Sequence, residues 1–435
     1  MSDIAVGLTG LGTIFGLIAL RVPIGVALIT VSFGGLWVLL GWRVAWGALA
    51  VVPYQFSANW VLSSVPMFLL LGFVCYHAEL TRGLFRAARV WTASLPGGLA
   101  IAAIFGSAGF AAVCGSSLAC SAAMGRIAVP EMTANRYSAE LATGTVAVAG
   151  TIGALIPPSI LLILYGVIAQ APVTELFLAG VSVGLLTALG YVVVVLVRVW
   201  LNPALAPPMD ERLTRTERLA SLVETWPILT VMIAIFGGLF SGVFTPTEAG
   251  AVGAFLSVLV ALVRRSLSWG KFRLAVEETL TTTAALILIG VGASLLTRFL
   301  ALSGAGDYLA SAVLALGADP TVLLFGIIVM YLVLGMFLEP IGALLLTMPI
   351  VLPIIDDLSW SLIWFGIVLT KLLEIGMLTP PIGMNVFVIK SVVGDLVDTG
   401  TIFRGVLWFL VMDLAILVLI SQVPQIVLYL PQAVG

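Results

Sequence analysis

The sequence contains few charged residues, few cysteines and a single histidine. Lys, Arg, Asp and Glu make up 9% of the 435 residues, whereas a soluble domain carries about 25%. Cys75, Cys114 and Cys120 lack the spacing of a metal or redox site, and we interpret them as packing residues. No nucleophile lies near a base within a motif, so nothing indicates an enzyme active site. A Walker motif is also lacking, which argues against an ATP-driven pump subunit.

Hydrophobic residues, by contrast, make up 61% of the sequence. They form apolar blocks of about 17 to 25 residues, the length of a membrane-spanning helix, without the alternation of β-barrel strands. The sequence therefore predicts an all-α polytopic membrane protein. The net charge of -2 and the scattered arginines argue against a nucleic-acid partner. The first block, 4–20, lacks a basic leader, so we expect it to be retained as a span.

Two similar segments, IGALIPP at 152–158 and IGMLTPP at 375–381, lie 223 positions apart. Paired prolines interrupt an α-helix because each lacks an N–H donor and its ring collides with the preceding turn. We therefore predict broken helices at 138–170 and 360–393. Non-helical backbone at membrane depth is tolerated only inside protein or beside a cavity, so each break is a candidate ion or substrate site.

Further landmarks repeat at the same offset. Pro23 falls on Pro246, Pro130 falls on Pro353, and the apolar blocks recur in the same order. The pattern predicts two structural repeats joined by a cytoplasmic linker. The first repeat is expected at 1–212 and the second at 224–435. The linker between them is expected at 201–226.

Each repeat contains two adjacent apolar blocks that are too short for two comfortable spans. They lie at 98–130 and 321–353, and we predict that each pair forms a re-entrant helical hairpin. Hairpins and broken helices in inverted repeats are typical of ion-coupled carriers, whose site lies between the repeats. We expect these elements to form a mobile unit, with the first three apolar blocks and the last one available for a frame.

Basic residues occur in three clusters that the positive-inside rule assigns to the cytoplasm. The clusters are Arg82, Arg86 and Arg89; Arg198, Arg212, Arg215 and Arg218; and Arg264, Arg265, Lys271 and Arg273. The base of the first hairpin carries Arg126 and Arg136, whereas the base of the second carries Asp356 and Asp357. This reversal predicts that the two repeats have opposite orientations and that both termini are external.

Four segments closely resemble the large membrane subunit of tripartite ATP-independent periplasmic (TRAP) transporters, the DctM-like proteins. They are GSSLACSAAMGRIAVPEM (115–132), ATGTVAVAGTIGALIPPSI (142–160), GVFTPTEAGA (242–251) and EIGMLTPPIGMNVF (374–387). The resemblance extends over nearly the whole chain. It implies a permease of the bacterial inner membrane that imports an organic acid, such as a C4-dicarboxylate or a sialic acid, by sodium symport and an elevator-like movement.

The resemblance also implies partners. In this family a periplasmic substrate-binding protein delivers the small carboxylate, and a small four-helix membrane subunit, expected here as a separate chain, completes the complex in the membrane lipid. The physical features alone leave open a standalone ion-coupled anion carrier that needs no binding protein. A channel fits them less well, because two inverted hairpins suit alternating gates around one site.

The tip of the first hairpin is the predicted substrate site. Gly115, Ser116 and Ser117 precede its second arm, and the free N–H groups of a helix N-terminus attract a carboxylate. The serine hydroxyls are also suitable ligands for sodium. The alternative is that these residues only cap the helix.

Two further residues are candidates for substrate contact. Glu339 precedes Pro340 at the tip of the second hairpin, where it could bind a cation, take up a proton, contact a positive group of the substrate or cap the helix. Asn385 follows the second proline pair. It either contacts the substrate or serves as a packing amide between helices.

Sodium is the coupling ion that we expect, and no other cofactor is predicted. Unwound backbone offers carbonyl oxygens, the hard ligands that such a cation accepts. The candidate ligands are Ser116, Gly150, Gly153, Gly376, Thr379 and Pro380. Ile156, the counterpart of Thr379, has no hydroxyl group, so the two breaks are not expected to form equivalent ion sites.

Charged residues inside apolar segments are candidates for function because intramembrane charge is costly. Glu374 is such a residue, and its alternative is an ion pair with Lys371, three positions earlier. For Asp413 we expect hydrogen bonds between helices.

Two other polar residues receive structural interpretations. The segment Thr245-Pro246-Thr247-Glu248 predicts a capping box, which assigns Glu248 to the start of a helix. His77 precedes a basic cluster, so we interpret it as a polar group near the membrane interface. A role in sensing pH is its alternative.

Overall fold

The computed structural model describes residues 2–207, 214–314 and 319–434, which form helices connected by short segments. The α-helices of the first half are α1 (Asp3–Ala19), α2 (Ile24–Leu40), α3 (Trp42–Ser57), α4 (Ser64–His77), α5 (Arg82–Thr92), α6 (Gly98–Cys114), α7 (Ser117–Ala134), α8 (Ala139–Ala149), α9 (Ile160–Ala169) and α10 (Val173–Leu201). Short 3-10 helices at Trp60–Ser63 and Gly150–Ala154 precede α4 and follow α8, respectively.

The second half repeats this succession of long and short helices. Its α-helices are α11 (Arg215–Val223), α12 (Trp226–Phe240), α13 (Pro246–Val263), α14 (Trp269–Ser303), α15 (Ala305–Leu314), α16 (Pro320–Phe337), α17 (Pro340–Asp357), α18 (Leu362–Gly376), α19 (Met384–Val393), α20 (Thr399–Gln422) and α21 (Gln425–Val434). The last helix is followed by a single residue outside the described ranges.

Within the described residues, seven helices are long and apolar enough to cross a membrane. They are Trp60–His77, which joins a 3-10 turn to α4, and α10, α13, α14, α16, α17 and α20. Helices α11 and α12, bent by 53° relative to each other, would make an eighth span. The prediction of an all-α polytopic membrane protein is confirmed.

The helices are interrupted at both proline pairs. In the first half α8 ends at Ala149, and α9 begins at Ile160 after a 3-10 turn. In the second half α18 ends at Gly376 and α19 begins at Met384. The segments predicted to be hairpins contain α6 and α7 in the first half and α16 and α17 in the second, each pair joined by two residues.

The starting residues of several helices follow the repeat offset of 223. Helices α5, α7 and α8 begin at residues 82, 117 and 139, whereas α15, α17 and α18 begin at residues 305, 340 and 362. The order of these elements is therefore the same in both halves. The opposite orientation of the halves, their predicted limits and the external position of both termini stay predictions.

Packing divides most helices into two groups. In the first group, which we call the frame, α2 packs against α1, α3 and α14, and α4 packs against α13 and α14. In the second group, the hairpin body, α7 packs against α6, α8 and α19. Helix α20, expected to be available for the frame, packs on the broken helices α8 and α18 and on α10, and its assignment stays a prediction.

The capping box predicted at the start of α13 is confirmed. Thr245 donates its backbone N–H to Glu248 Oε2 at 2.8 Å, and its side chain accepts from the N–H of Glu248 at 3.3 Å. A second capping box, formed by Thr214 and Glu217, begins α11 within the predicted linker 201–226. Arg212 of the second basic cluster lies outside the described residues.

Candidate functional site

A cavity of about 440 Å³ lies where the two hairpin tips meet the broken helices. We call it the central cavity. The first tip contributes Gly115 to Ala119, the second contributes Glu339 to Ile341, and the breaks contribute Ala154, Ile160, Glu374 and Met377. Helices α4 and α14 of the frame form the remaining wall. The structure thus brings predicted residues from both halves to one space.

The first hairpin tip lies directly against the first helix break. Gly115 has a φ of 61°, and a Cβ atom placed there would lie 2.3 Å from the carbonyl oxygen of Pro158. A Cβ atom on Gly153 would lie 3.1 Å from the carbonyl oxygen of Ser116. Glycine is needed at position 115 because a side chain would force the tip away from the break.

The two serines at this tip have different partners. Ser116 is the N-cap of α7, and its side chain accepts a hydrogen bond from the N–H of Ala119. Ser117 donates its hydroxyl proton to Glu374 Oε1 at 3.0 Å. Both serines line the central cavity. Capping and exposure to the cavity are therefore compatible roles for Ser116.

Glu374 is a buried carboxylate at the wall of the central cavity. Its side chain is 1% exposed, and Oε2 has no hydrogen-bond partner among the described residues. The alternative ion pair with Lys371 is wrong, because Lys371 Nζ lies 2.5 Å from Asp413 Oδ1 instead. Glu374 therefore keeps one free oxygen for a cation or a proton.

The charged residues that line the central cavity are all acidic. They are Glu278 of α14, Glu339 at the second hairpin tip and Glu374 of α18, and the described lining includes no Lys, Arg or His. Glu278 Oε2 lies 3.0 Å from Nε2 of His77 on α4. No sequence pattern indicated Glu278, because it lies among the ordinary charges at the start of α14.

Three of the predicted sodium ligands lie together beside the first tip. Gly150 and Gly153 belong to the 3-10 turn that packs on α7, where Ser116 is the N-cap. A Cβ atom on Gly150 would lie 3.0 Å from the carbonyl oxygen of Ser117. Carbonyl oxygens and serine hydroxyls therefore surround this contact, but neither glycine lines the central cavity.

The other three predicted sodium ligands lie at the second break. Gly376 packs on α16, where a Cβ atom on Gly376 would lie 2.6 Å from the Cα atom of Gly335. The Thr379 hydroxyl donates to the carbonyl oxygen of Ile375 at 2.7 Å. Gly376, Thr379 and Pro380 do not line the central cavity either. Of the six predicted ligands, only Ser116 lines the central cavity.

Asn385 lies away from the central cavity. Its side chain is fully buried, and Nδ2 lies 3.5 Å from the carbonyl oxygen of Ala147 on α8. This contact joins the broken helices of the two halves, the position expected of a packing amide. Its Oδ1 atom has no partner within the described part of the chain.

A buried polar network surrounds Asp413, and sequence reasoning missed most of it. The Tyr191 hydroxyl donates to the Asp413 carboxylate at 2.8 Å and lies 3.1 Å from Thr151 Oγ1. Lys371 contacts the same carboxylate and donates to Thr187 Oγ1 at 3.2 Å. The hydrogen bonds expected between Asp413 and other helices are confirmed. An intramembrane carboxylate was the available signal, but its partners lie far away in the sequence.

The three cysteines are buried and form no disulfide. Cys114 also lines the central cavity, where its Sγ atom lies 3.3 Å from the carbonyl oxygen of Ser116. These positions agree with their interpretation as packing residues.

Comparison with known proteins identifies relatives of the whole chain. The chain is 36% identical over 389 residues to the C4-dicarboxylate TRAP transporter large permease protein DctM of Pseudomonas aeruginosa. This alignment covers 89% of this chain and 90% of that protein. It is 32% identical over 425 residues to the sialic acid TRAP transporter large permease protein SiaM of Vibrio cholerae, covering 97% and 98% of the two chains.

Solved structures show a similar fold. The YdaH transporter of Alcanivorax borkumensis aligns with a TM-score of 0.60 over 88% of this chain and 89% of its own, at 16% identity. Residues 11–426 match the family described as tripartite ATP-independent periplasmic transporter, DctM component. Because this match spans nearly the whole sequence, the chain belongs to the DctM family of large membrane permeases of TRAP transporters.

Proposed function

We propose that this chain is the permease through which an organic acid enters the cell, driven by a sodium gradient. The single observation that carries the proposal is the central cavity, where the N-terminus of α7 and three carboxylates face the same space. The curated relatives named above are permeases for a C4-dicarboxylate and for sialic acid. Both substrates are carboxylates, so a carboxylate is the substrate class proposed here.

The first hairpin tip supplies donors for that carboxylate. The first N–H groups of an α-helix have no partner within the helix, and the helix dipole adds positive potential there. In α7 the Ser116 side chain occupies one of them, the N–H of Ala119. Ser117 and Leu118 line the cavity at the same end of the helix. Their N–H groups are the proposed contacts of the substrate.

Electrostatics supports cation coupling. An anion in the central cavity meets Glu278, Glu339 and Glu374. Two like charges about 8 Å apart repel by roughly 2 kcal/mol at an effective dielectric constant near 20. Because no basic side chain of the described residues lines this space, a cation that enters with the substrate offsets the repulsion.

Sodium binding is proposed at the contact between the first tip and the 3-10 turn at Gly150–Ala154. Ser116, Gly150 and Gly153 offer hydroxyl and carbonyl oxygens there, the ligands that hard cations accept. A bound sodium would hold the tip against the break and so preorganise the N-terminus of α7. Coupling then arises because the substrate binds more tightly to the sodium-bound state.

Transport is proposed to proceed by movement of the hairpin body against the frame. The central cavity lies at their boundary, with Tyr76 of α4 on one side and the two tips on the other. A separate small membrane subunit and a periplasmic binding protein are the proposed partners, since the matching family is described as tripartite. We propose that the complex lies in the inner membrane, with both termini external.

The experiment is uptake into proteoliposomes that contain this chain and its small subunit, with and without the binding protein. Labelled succinate and N-acetylneuraminate are offered under a sodium gradient, a proton gradient or neither. We expect uptake that requires sodium and the binding protein. Uptake driven by protons alone would contradict sodium coupling, whereas uptake without the binding protein would favour a standalone anion carrier.

A further inference from the structure

A second cavity of about 360 Å³ is lined by residues of α17 further along that helix than those that line the central cavity. Helices α3, α9, α14 and α17 contribute to its wall, and we call it the outer cavity. Its polar lining includes Gln55, Asn59, Gln170, Ser294 and Arg298. No Asp or Glu of the described residues lines it. The two cavities therefore carry opposite charge.

Arg298 lies at an unusual place for a basic residue. Helix α14 has 35 residues, so its ends are about 52 Å apart. Lys271 and Arg273 lie in its first turns, and Arg298 lies near its other end. The positive-inside rule disfavours a basic residue at the end opposite a cytoplasmic basic cluster, so Arg298 needs another reason to be there.

Among the described residues, Arg298 contacts no acidic side chain that would compensate its charge. Its Nη2 atom donates to the Gln55 Oε1 atom at 2.8 Å, and this partner is a neutral amide. The remaining N–H groups of the guanidinium stay available at the cavity wall. Arginine commonly binds carboxylates through two parallel hydrogen bonds, which suits a free guanidinium edge.

Neighbouring amides add donors and use up acceptors. The Oε1 atom of Gln55 accepts from Arg298, and Oδ1 of Asn59 accepts from the N–H of Val61 at 3.0 Å. The NH₂ groups of Gln55 and Asn59 can therefore donate hydrogen bonds to a ligand. A cavity with one guanidinium, two amide NH₂ groups and no acid is complementary to an anion.

The position of the outer cavity suggests when an anion would use it. Helices α14 and α17 line both cavities. On α14, Glu278 and Leu286 line the central cavity, whereas Ala293 and Arg298 line the outer one. An anion that moves along α14 from its external end meets Arg298 before it meets the three glutamates.

We propose that the outer cavity is a transient binding site for the substrate carboxylate, centred on Arg298. The site rests on the proposed function, because its ligand is the organic acid that the permease transports. It concentrates the anion at the external entrance without contributing to the tightly coupled central site. Arg298 therefore affects the capture of substrate more than the maximal rate of transport.

The test compares Arg298→Gln with Arg298→Lys in proteoliposomes containing the small subunit and binding protein. Arg273→Gln is the matched control, because Arg273 lies on the same helix and pairs with Glu277 at 2.7 Å. Uptake is measured with whichever of succinate or N-acetylneuraminate the wild type transports faster. We expect Arg298→Gln to raise the KM about tenfold with less than a twofold change in maximal rate, as for loss of a steering charge. Arg298→Lys should retain most of the affinity, and Arg273→Gln should behave as wild type.

Other outcomes would overturn the proposal. An unchanged KM in Arg298→Gln would show that the cavity does not collect substrate, and an equal fall in the maximal rate would indicate a structural role. If the effect of Arg298→Gln on the KM disappears in phosphatidylcholine vesicles lacking anionic lipid, Arg298 binds the headgroup of an anionic lipid instead. Uptake by the wild type that ignores the sodium gradient would contradict the proposed function but would leave the KM comparison interpretable.

A sodium-free measurement separates the outer site from the central one. Thermal stabilisation of the purified complex by succinate or N-acetylneuraminate is recorded in choline buffer, where the central site lacks its coupling ion. We expect stabilisation of the wild type that is lost in Arg298→Gln and kept in Arg273→Gln. Equal stabilisation of all three proteins would contradict an anion site at Arg298.

Discussion

Lys371 of α18 and Asp413 of α20 form an ion pair in which each side chain is 1% exposed and Nζ lies 2.5 Å from Oδ1. Tyr191 of α10 shares the same carboxylate and lies beside Thr151 in the first helix break. The pair thus connects the broken helix of the second half to the break of the first.

Replacing one member of this pair should destabilise the protein more than replacing both. Asp413→Leu leaves an uncompensated buried ammonium, which costs about 3 to 5 kcal/mol. In the double variant Asp413→Leu with Lys371→Met no charge is left, so we expect most of the stability to return. Thermal denaturation in detergent measures the stability of both variants. A double variant as unstable as the single one would contradict this account.

Gly115→Ala should abolish transport while the protein still inserts into the membrane. The φ of 61° and the 2.3 Å approach to Pro158 leave no room for a Cβ atom, so the tip would move away from the break. We expect uptake to fall by about a hundredfold or more, as for a displaced reaction site. Gly34→Ala is the control, because a Cβ atom on Gly34 has no neighbour within 4 Å.

Glu374→Gln and Ser117→Ala should weaken the response to sodium. Both changes alter the 3.0 Å hydrogen bond at the cavity wall, and the first also removes a negative charge. We expect the sodium concentration for half-maximal uptake to rise about tenfold, equivalent to roughly 1.4 kcal/mol of binding. Ser391→Ala, at an exposed serine bonded to Val388, is the control. An unchanged sodium dependence in both variants would show that the Ser117–Glu374 hydrogen bond does not support sodium binding.

Thr245→Ala should lower stability without affecting transport. The change removes one half of the capping box of α13 and should cost about 1 kcal/mol. Thermal denaturation and uptake at saturating substrate measure the two effects separately. A fall in sodium affinity in this variant would mean that the turn at Thr245 does more than begin a helix.

A bifunctional maleimide should arrest transport when it joins α4 to α7. Arg126 Nη1 of the hairpin body donates to the Tyr76 hydroxyl of the frame at 2.8 Å. In the double variant Tyr76→Cys with Arg126→Cys, the cross-linker would hold the hairpin body and the frame in the relative position that the structure shows. The variants Tyr76→Cys and Arg126→Cys, each with one introduced cysteine beside the three buried native ones, are treated alike as controls. Full uptake after quantitative cross-linking would contradict movement of the hairpin body against the frame.

The sequence contains enough information to locate the breaks and the tips. Paired prolines cannot continue a helix, and the breaks between adjacent apolar blocks place the tips at Gly115 and Glu339, although α16 and α17 are each long enough to span a membrane. For the same reason Glu248 is predictable from its own segment, since a capping box involves residues three positions apart. Local rules therefore place the elements that form the central cavity.

Partners that lie far apart in the sequence could not be predicted. Glu374 and Lys371 lie three positions apart, yet each binds a residue of another helix, Ser117 and Asp413. The amphipathic helices α3, α5, α11, α15 and α21 were also missed, since short segments with mixed polarity lack the long apolar run of a span. Tertiary packing determines both the long-range side-chain partners and these short helices, and it cannot be derived from a single sequence.

The acidic lining of the central cavity has a consequence for the empty transporter. Glu339 lies at the second hairpin tip and Glu374 in the second broken helix, two elements predicted to belong to the mobile unit, whereas Glu278 lies in α14 of the frame. If the body moves with both glutamates ionised and no sodium bound, it carries negative charge through the electric field of the membrane, worth about 2.3 kcal/mol per charge for each 100 mV crossed. A potential that is negative inside pushes this charge outward, so the membrane potential itself would return the unloaded permease to face its binding protein.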